Sequence, residues 1–531
     1  MLPLNSILLH SPCRAVVPRL YNSDITLSRW KNPLQSQIVT LLRSHVTTMS
    51  SPTHYDAIIV GSGQCGTPLA KAFANAGRKT AIVERASIGG TCVNVGCTPT
   101  KTMIASGRVT YLARRGADYG VNSSATGKVD INMAKIRQRK RDIVASFSGG
   151  GEARLKQAGV DILRGEARFT GPKKLSVRLN EGGGEREIAG DVVLLDVGER
   201  PTVPDLPGLD GVEKARVLDS TSIMELGEVP AHLVVLGGGY IGLEFGQLFR
   251  RLGAEVTVVQ RAAQLVPRED KDIAENLLGI LREDGVTVHL SSTARSISTG
   301  SEAALPLSLT IQSGDGGTVN VTGSHILLAV GRTPNTDSLN LSAAGVETTA
   351  KGHLVVDERL ATSAEGVYGL GDAHGGPAFT HMAYDDFRII RANLLPGTVP
   401  STTPAMNTTK ASPSRGLVPY VMYTDPQLGH VGLHERDLAK TGRRYKTARM
   451  PMGYVARALE TDETRGMMKA TVDAETGEIL GFTCLGIEGG ELMAVVQTAM
   501  MGRVKWFDLE AAVWAHPSIA ESLNNLWGFW E

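Results

Sequence analysis

Short, nearly all-apolar runs recur along the chain, each stopping at glycine, and they read as buried strands. The first is Asp56-Ala57-Ile58-Ile59-Val60, and Gly61-Ser62-Gly63-Gln64-Cys65-Gly66 follows it at once. A helical stretch over Thr67–Ala76 comes next, then the strand Thr80-Ala81-Ile82-Val83, ending at Glu84. The unit then repeats. Leu233-Val234-Val235-Leu236 leads into Gly237-Gly238-Gly239-Tyr240-Ile241-Gly242, a helix to about Leu252 and the strand Glu255–Val259.

Strand, GxGxxG turn, helix, strand and acid in that order form a dinucleotide-binding pattern. Gly61, Gly63 and Gly66 let backbone approach a pyrophosphate at the helix N-terminus, and Glu84 can accept from a ribose hydroxyl. In the second unit, Gly237, Gly239 and Gly242 take the same places. The position matching Glu84 is Gln260, followed by Arg261. A carboxylate would repel a 2′-phosphate, whereas Gln260-Arg261 suits one, which favours NADPH over NADH. A plain surface Arg261 is the competing reading. Two such units imply two dinucleotides, or a flavin and a nicotinamide cofactor.

Other runs organise the remainder. Val192–Gly198 and Ile326–Arg332 are matching apolar strands ending in Gly198 and Gly331, each followed by Arg and Pro, and are expected to carry the chain between the two units. Glu181–Glu185 and Ser313–Gly317 look like hairpin tips. Gly366–Asp372 is another buried-looking strand ending in an acid. Residues 397–416 are rich in Ser, Thr and Pro and read as an exposed loop. The expected divisions are an N-terminal extension at 1–50, a first nucleotide domain at 51–200, a second at 201–325, a return to the first at 326–396, the 397–416 loop, and a last domain at 417–531.

Composition alters this picture little. The chain has 531 residues, 60 of them glycine, 21% charged and a net charge of +1. Such a length needs several cores, and the charge balance gives no electrostatic case for nucleic acid or a membrane surface. No apolar run reaches about 18 residues, so no membrane-spanning helix is expected. Residues 1–50 differ from the rest: Arg14, Arg19, Arg29, Lys31 and Arg43 face a single acid, Asp24. That bias fits a mitochondrial presequence, and a dispensable extension with Met49 as the working start fits equally, leaving mitochondrial and cytoplasmic locations open.

Of the five cysteines, only Cys92 and Cys97 lie close together, in Gly89-Gly90-Thr91-Cys92-Val93-Asn94-Val95-Gly96-Cys97-Thr98-Pro99-Thr100-Lys101. Residues five apart in a straight helix stand roughly 8–9 Å apart at Cα, beyond the about 7 Å a disulfide tolerates. A bridge therefore needs a distorted or just-starting helix, which Gly96 and Pro99 permit. Two free thiols, or half a metal site, are the plainer alternatives; the flanking residues favour redox cycling, and no metal is expected.

These motifs together, from about Tyr55 to Trp527, resemble the class I flavoprotein pyridine nucleotide–disulfide oxidoreductases, which include glutathione reductase, dihydrolipoamide dehydrogenase and mercuric reductase. The wording around Cys92, Thr424-Asp425-Pro426 and Gly376–His381 is similar to the mercuric-reductase-like and dihydrolipoamide-dehydrogenase-like branch. The resemblance implies an α/β fold with two Rossmann-type dinucleotide-binding domains, glutathione-reductase-like, plus a C-terminal α+β dimerisation domain. It implies FAD on the first unit and NADPH on the second, with NADH possible. Electrons would pass through FAD to a Cys92–Cys97 redox disulfide and on to a small disulfide or other soft electrophile. Cys97 would face the flavin and Cys92 would attack the substrate. Lys101 would sit near the reactive flavin nitrogen with Glu244 as its ion-pair partner, Tyr240 would cover the nicotinamide pocket, Asp372 would hold the ribityl chain, and Gly331 heads the cofactor-binding GRxPN stretch. His516, paired with Glu521, would serve Cys92 as acid–base group from the other subunit of a homodimer.

Departures narrow the acceptor. The tail Leu523–Glu531 lacks the vicinal cysteines with which mercuric reductases hand over metal, and Cys13 stands alone at the N-terminus. Soft-metal transfer thus lacks its usual ligands. Trp514 is a bulky neighbour of His516, and Cys65 and Cys484 read as small buried residues. The alternative activity is a diaphorase, quinone reductase or oxidase working at the flavin without the disulfide.

Overall fold

A computed structural model describes residues 51–121, 129–300, 302–397 and 417–531. The N-terminal extension and nearly all of the 397–416 loop lie outside the described residues.

The first apolar run forms the strand Thr53–Val60, whose last residues are buried. It is hydrogen-bonded in parallel to Thr80–Glu84 on one side and to Glu185–Leu195 on the other. A parallel strand flanked on both edges and covered on both faces has no polar side to show, which is why its sequence does not alternate. Val367–Gly369 continues the sheet beyond Glu185–Leu195, and Asp161–Gly171 beyond Thr80–Glu84. Asp161–Gly171 and Glu185–Leu195 run on past the parallel sheet to sandwich Lys174–Leu179 in an antiparallel layer. The turn between the last two holds Gly182 and Gly183 at φ +78° and +60°, the hairpin tip expected there.

The second sheet is parallel throughout, in the order Thr287–His289, Glu255–Val259, His232–Leu236, His325–Leu328, Val217–Leu218. The expected division at residue 325 falls inside its fourth strand. A three-stranded antiparallel sheet, Thr293–Thr299, Leu307–Gln312 and Thr318–Gly323, adds the second hairpin tip. The segments after Gly198 and Gly331 pair with each other, Thr333 opposite Arg200, so the two crossings lie side by side.

Residues 420–486 build a five-stranded antiparallel sheet with Ile479–Gly486 central, and the Gly489–Met501 helix covers one face. Trp527 is buried there beside Trp506 and Trp530. Among the described residues, no helix is long and apolar enough to cross a membrane.

Candidate active site

The redox segment is not one helix. Cys92 lies in the short helix Gly90–Asn94, the chain kinks at Val95 and Gly96, and a new helix, Cys97–Arg114, begins at Cys97 itself. The break resolves the spacing problem, and Gly96 is needed for it: a Cβ there would stand 2.8 Å from the Thr91 carbonyl oxygen. The two cysteines are not bridged in this structure.

Their surroundings split them chemically. A hydrogen bond from Cys92 draws the Cys97 thiol down to about 6; burial opposes this, while Thr380 and the Lys101 cation assist. Thr380 Oγ1 lies 3.2 Å from Cys97 Sγ. Cys92 moves the other way, raised by its bond to Cys97 and by burial. Near neutral pH the pair is therefore one thiolate, Cys97, and one thiol, Cys92.

Lys101 is held one turn further along the same helix. Its Nζ lies 2.8 Å from Glu244 Oε2. Burial works against the Lys101 charge, but Glu244 and Cys97 more than offset it and hold its pKa above the ordinary value. Glu244 Oε1 accepts from the Tyr423 backbone N–H at 2.8 Å, which ties in the C-terminal domain.

The first glycine turn is closed by Glu84. Its Oε2 accepts from Ser62 N at 3.0 Å and Ser62 Oγ at 2.6 Å, and its Oε1 from Ala86 N at 2.7 Å. A carboxylate has about four acceptor positions, so a ribose hydroxyl can still be received. A Cβ on Gly63 would meet the Asp196 carboxylate at 2.7 Å, and one on Gly66 would strike the Gly61 carbonyl. The turn thus needs its glycines, and without side chains at these positions a pyrophosphate can approach the helix start closely, so the residues fit FAD. Asp372, in the turn Gly371–His374, is pushed up to about 6 by burial and by Glu199, with Arg332 pulling the other way.

In the second unit, Gly237 has φ +116° and passes against the Ala329 carbonyl. Gln260 turns inward: its Oε1 accepts from Gly238 N at 3.3 Å and its Nε2 donates to Gln264 O at 3.1 Å. Its amide is committed to the turn, whereas Arg261 is exposed. Tyr240 starts the Tyr240–Leu252 helix and donates to Glu269 Oε1 at 2.6 Å; Tyr420 donates to the same oxygen at 2.7 Å. The two rings stack with centroids 5.7 Å apart. His434 Nε2 lies 3.0 Å from the Tyr420 hydroxyl, whose proton is already given to Glu269, so the imidazole is the donor.

Glu269, His430 and His434 offer atoms within 4.8 Å of one another, as a metal site would. Both His430 nitrogens are already bonded, to Thr483 Oγ1 and Gly432 O, and the two imidazoles stack nearly parallel at 3.9 Å. Parallel rings point their lone pairs side by side, so hydrogen bonding suits the cluster better than metal ligation does.

His516 Nδ1 is 3.0 Å from both oxygens of Glu521, and its side chain is 67% exposed. Among the described residues no contact joins His516 to Cys92 within the chain. Trp514 packs against the C-terminal core and donates its Nε1–H to Leu509 O at 3.1 Å. Glu269 and Tyr420 lie outside every motif marked in the sequence, and Thr380 lies inside the Gly376–His381 segment with no role assigned to it there.

Two glycine-turn dinucleotide units, a cysteine pair at a helix start and a separate C-terminal sheet define a two-nucleotide redox flavoprotein. Comparison with known proteins makes the class specific. Residues 55–386 match the family model described as pyridine nucleotide-disulphide oxidoreductase, and residues 418–526 match its dimerisation domain. The chain is 33% identical over 475 residues to the probable pyridine nucleotide-disulfide oxidoreductase RclA of Escherichia coli, covering 89% of this chain and 98% of that one. It is 32% identical to mercuric reductase of Bacillus cereus, over 88% and 70% of the two chains. The same identity joins it to mitochondrial dihydrolipoyl dehydrogenase of Pisum sativum, over 91% and 93%. A solved Cu(II) complex of the HOCl-induced flavoprotein disulfide reductase RclA from E. coli superimposes with a TM-score of 0.78, 32% identity, and 90% and 99% coverage. This chain belongs to the pyridine nucleotide-disulphide oxidoreductase family. It is a flavoprotein oxidoreductase with the family's dimerisation domain.

Proposed function

We propose that the enzyme takes two electrons from NADPH and delivers them, through FAD and the Cys92–Cys97 pair, to a disulfide or another soft electrophile. The observation that carries this reading is the unbridged Cys92–Cys97 pair across a helix break, with Thr380 Oγ1 3.2 Å from Cys97 Sγ and the Glu244-bound Lys101 one turn further on. When bound, FAD supplies the two-electron step between nicotinamide and sulfur. The protein does the rest. Lys101, fixed by Glu244, places a positive charge beside Cys97 and the flavin site. Cys92, once deprotonated, attacks one sulfur of the acceptor disulfide and expels the other half as a thiol. Cys97 then attacks Cys92, frees the second thiol and leaves a Cys92–Cys97 disulfide, which the next two electrons reopen.

His516, oriented by Glu521, would take the Cys92 proton and return it to the leaving thiolate. Because His516 is exposed and makes no contact with Cys92 in its own chain, we assign this role to His516 of the partner subunit in a homodimer. Val513 is fully exposed and Phe507, six positions earlier in the chain, is 47% exposed, and cover by a second copy would take both apolar side chains out of water. Arg261 supports NADPH over NADH. The basic, acid-poor segment 1–50 supports a mitochondrial presequence, with a cytoplasmic form starting at Met49 the other outcome of a localisation experiment.

The deciding experiment is turnover of wild type and Cys92→Ser against a panel of acceptors, including glutathione disulfide, lipoamide, Hg(II), Cu(II) and quinones. Loss of disulfide or metal-ion reduction in Cys92→Ser, with quinone reduction kept, supports the relay. Unchanged turnover with the best acceptor would sink it in favour of a flavin-level diaphorase.

A further inference from the structure

The chain carries its own control for the floor of the flavin site. The strands Glu185–Leu195 and His325–Leu328 hold the same place in their two sheets, each parallel to the strand that leads into a glycine turn. Just beyond them, Leu194-Leu195-Asp196-Val197-Gly198 matches Leu327-Leu328-Ala329-Val330-Gly331. Gly61 packs on the Asp196 carbonyl as Gly237 packs on that of Ala329. The turn therefore needs no acid at this position, since the nicotinamide unit is built with alanine.

Asp196 nevertheless has specific partners. Its Oδ2 accepts from Gly66 N at 2.6 Å, at the start of the Gly66–Asn75 helix, and the Cys65 backbone N–H also points to it. A Cβ on Gly371 would stand 2.9 Å from its Oδ1. One buried carboxyl thus touches both the phosphate turn and the turn that carries Asp372, two segments from opposite ends of the first nucleotide unit. In the second sheet the edge strand Val217–Leu218 holds the place of Val367–Gly369, and Ala329 has only a methyl group, with no polar atom to offer the turn that follows.

We propose that Asp196 is a positioning residue for FAD, locking the phosphate turn to the Asp372 turn as a side-chain cap beneath the dinucleotide. The proposal rests on the FAD reading of this site and assigns a residue that the glycine motif does not contain.

Its protonation follows from its surroundings. Burial, then Asp372 and Asp386, push the Asp196 carboxyl up to about 8, against the backbone N–H groups of Gly66 and Cys65. Asp386 itself is met by His374 Nε2 at 3.1 Å, while Glu199, Arg332 and Cys97 face Asp372 rather than Asp196. Near neutral pH the cap is mainly an uncharged acid, which tolerates a pyrophosphate dianion above it. A bound dianion raises its pKa further, so FAD affinity is flat below about pH 8 and falls above it, by at most about tenfold per pH unit for one proton.

The test is FAD retention by the full-length protein between pH 6 and 10, read as released flavin fluorescence, for wild type, Asp196→Asn and Asp196→Ala. Wild type should lose FAD progressively above about pH 8. Asp196→Asn keeps an acceptor without the charge and should hold FAD equally at all these pH values. Asp196→Ala, the side chain its sister unit already carries, should fold and bind FAD about tenfold more weakly at pH 7. Wild-type affinity at pH 7 in Asp196→Ala, or an undiminished alkaline loss in Asp196→Asn, would overturn the proposal. Wild-type protein that takes up no FAD at pH 7 would sink the flavin-site reading itself, and the proposal with it.

Discussion

Lys101 and Glu244 join the cysteine helix to the first helix of the second nucleotide unit through a 2.8 Å ion pair, and the same Glu244 holds the Tyr423 backbone. Three segments from three parts of the chain therefore meet on one carboxylate that is only 6% exposed. Glu244→Leu removes the acceptor for both donors and leaves Lys101 without its partner. We expect a loss of about 2–4 kcal/mol in urea unfolding. Glu244→Gln, which can still accept from Tyr423, should lose less than half of that.

The thiolate at Cys97 sets a pH window. Its pKa lies below the ordinary thiol value, at about 6, so the anion is present above that pH and is lost as pH falls through it. Cys92 is the largest contributor, and Thr380 assists. Iodoacetamide alkylation of Cys97 in the reduced enzyme, followed by mass spectrometry, should rise with a midpoint near pH 6. Cys92→Ala should move that midpoint up by at least one pH unit, and Thr380→Val by a smaller amount, because each removes a donor to the sulfur anion. A midpoint unmoved by either substitution would show that the thiolate is held by other groups.

Legibility in the sequence followed chain distance. Both glycine turns, the cysteine pair and the His516–Glu521 pair are contiguous, and local rules of turn, strand and spacing are enough to find them. Glu84 was readable for the same reason, because strand length fixes how far the acid lies from the turn. Asp196 looked like one more position within the apolar strand Val192–Gly198; its partner Gly66 is 130 residues earlier, and only the closed sheet brings them together. Glu269 and Tyr420 meet across 151 residues, and Thr380 reaches Cys97 across 283. Gln260 was read for its chemistry and placed correctly in the unit, but its amide faces into the turn because the Gly238 N–H needs an acceptor there. A sequence pattern places the backbone and leaves the direction of a side chain to packing.

Glu269 holds two tyrosines with one oxygen, and its other oxygen has no hydrogen-bond partner among the described residues. Burial raises its pKa, with the His434 charge partly offsetting this. Glu269→Leu strips the acceptor from two mostly buried phenols, at about 1–1.5 kcal/mol each, so a fall of about 2–3 kcal/mol in stability is expected by chemical denaturation. Tyr420→Phe removes one of the two bonds and should cost about half as much. If Tyr240 covers the nicotinamide pocket, loss of its anchor also raises KM for NADPH more than it lowers kcat, which steady-state kinetics would separate.

On the proposed NADPH reading, coenzyme choice would rest on the exposed Arg261. Gln260 is committed to Gly238 and Gln264, so the side chain left at this strand end to meet a ribose 2′-phosphate is Arg261. Guanidinium–phosphate pairing at a partly solvated site is worth about 1.5–3 kcal/mol. Arg261→Ala should therefore lower kcat/KM for NADPH by roughly 10- to 100-fold and leave NADH nearly unchanged. Arg261→Glu goes further, since its carboxylate repels the phosphate and can accept from a free 2′-hydroxyl, which should bring the NADPH-to-NADH ratio below one. Equal losses with both coenzymes in Arg261→Ala would mean that the residue supports the turn rather than reading the phosphate, and NADPH preference would then have to come from another part of the second unit.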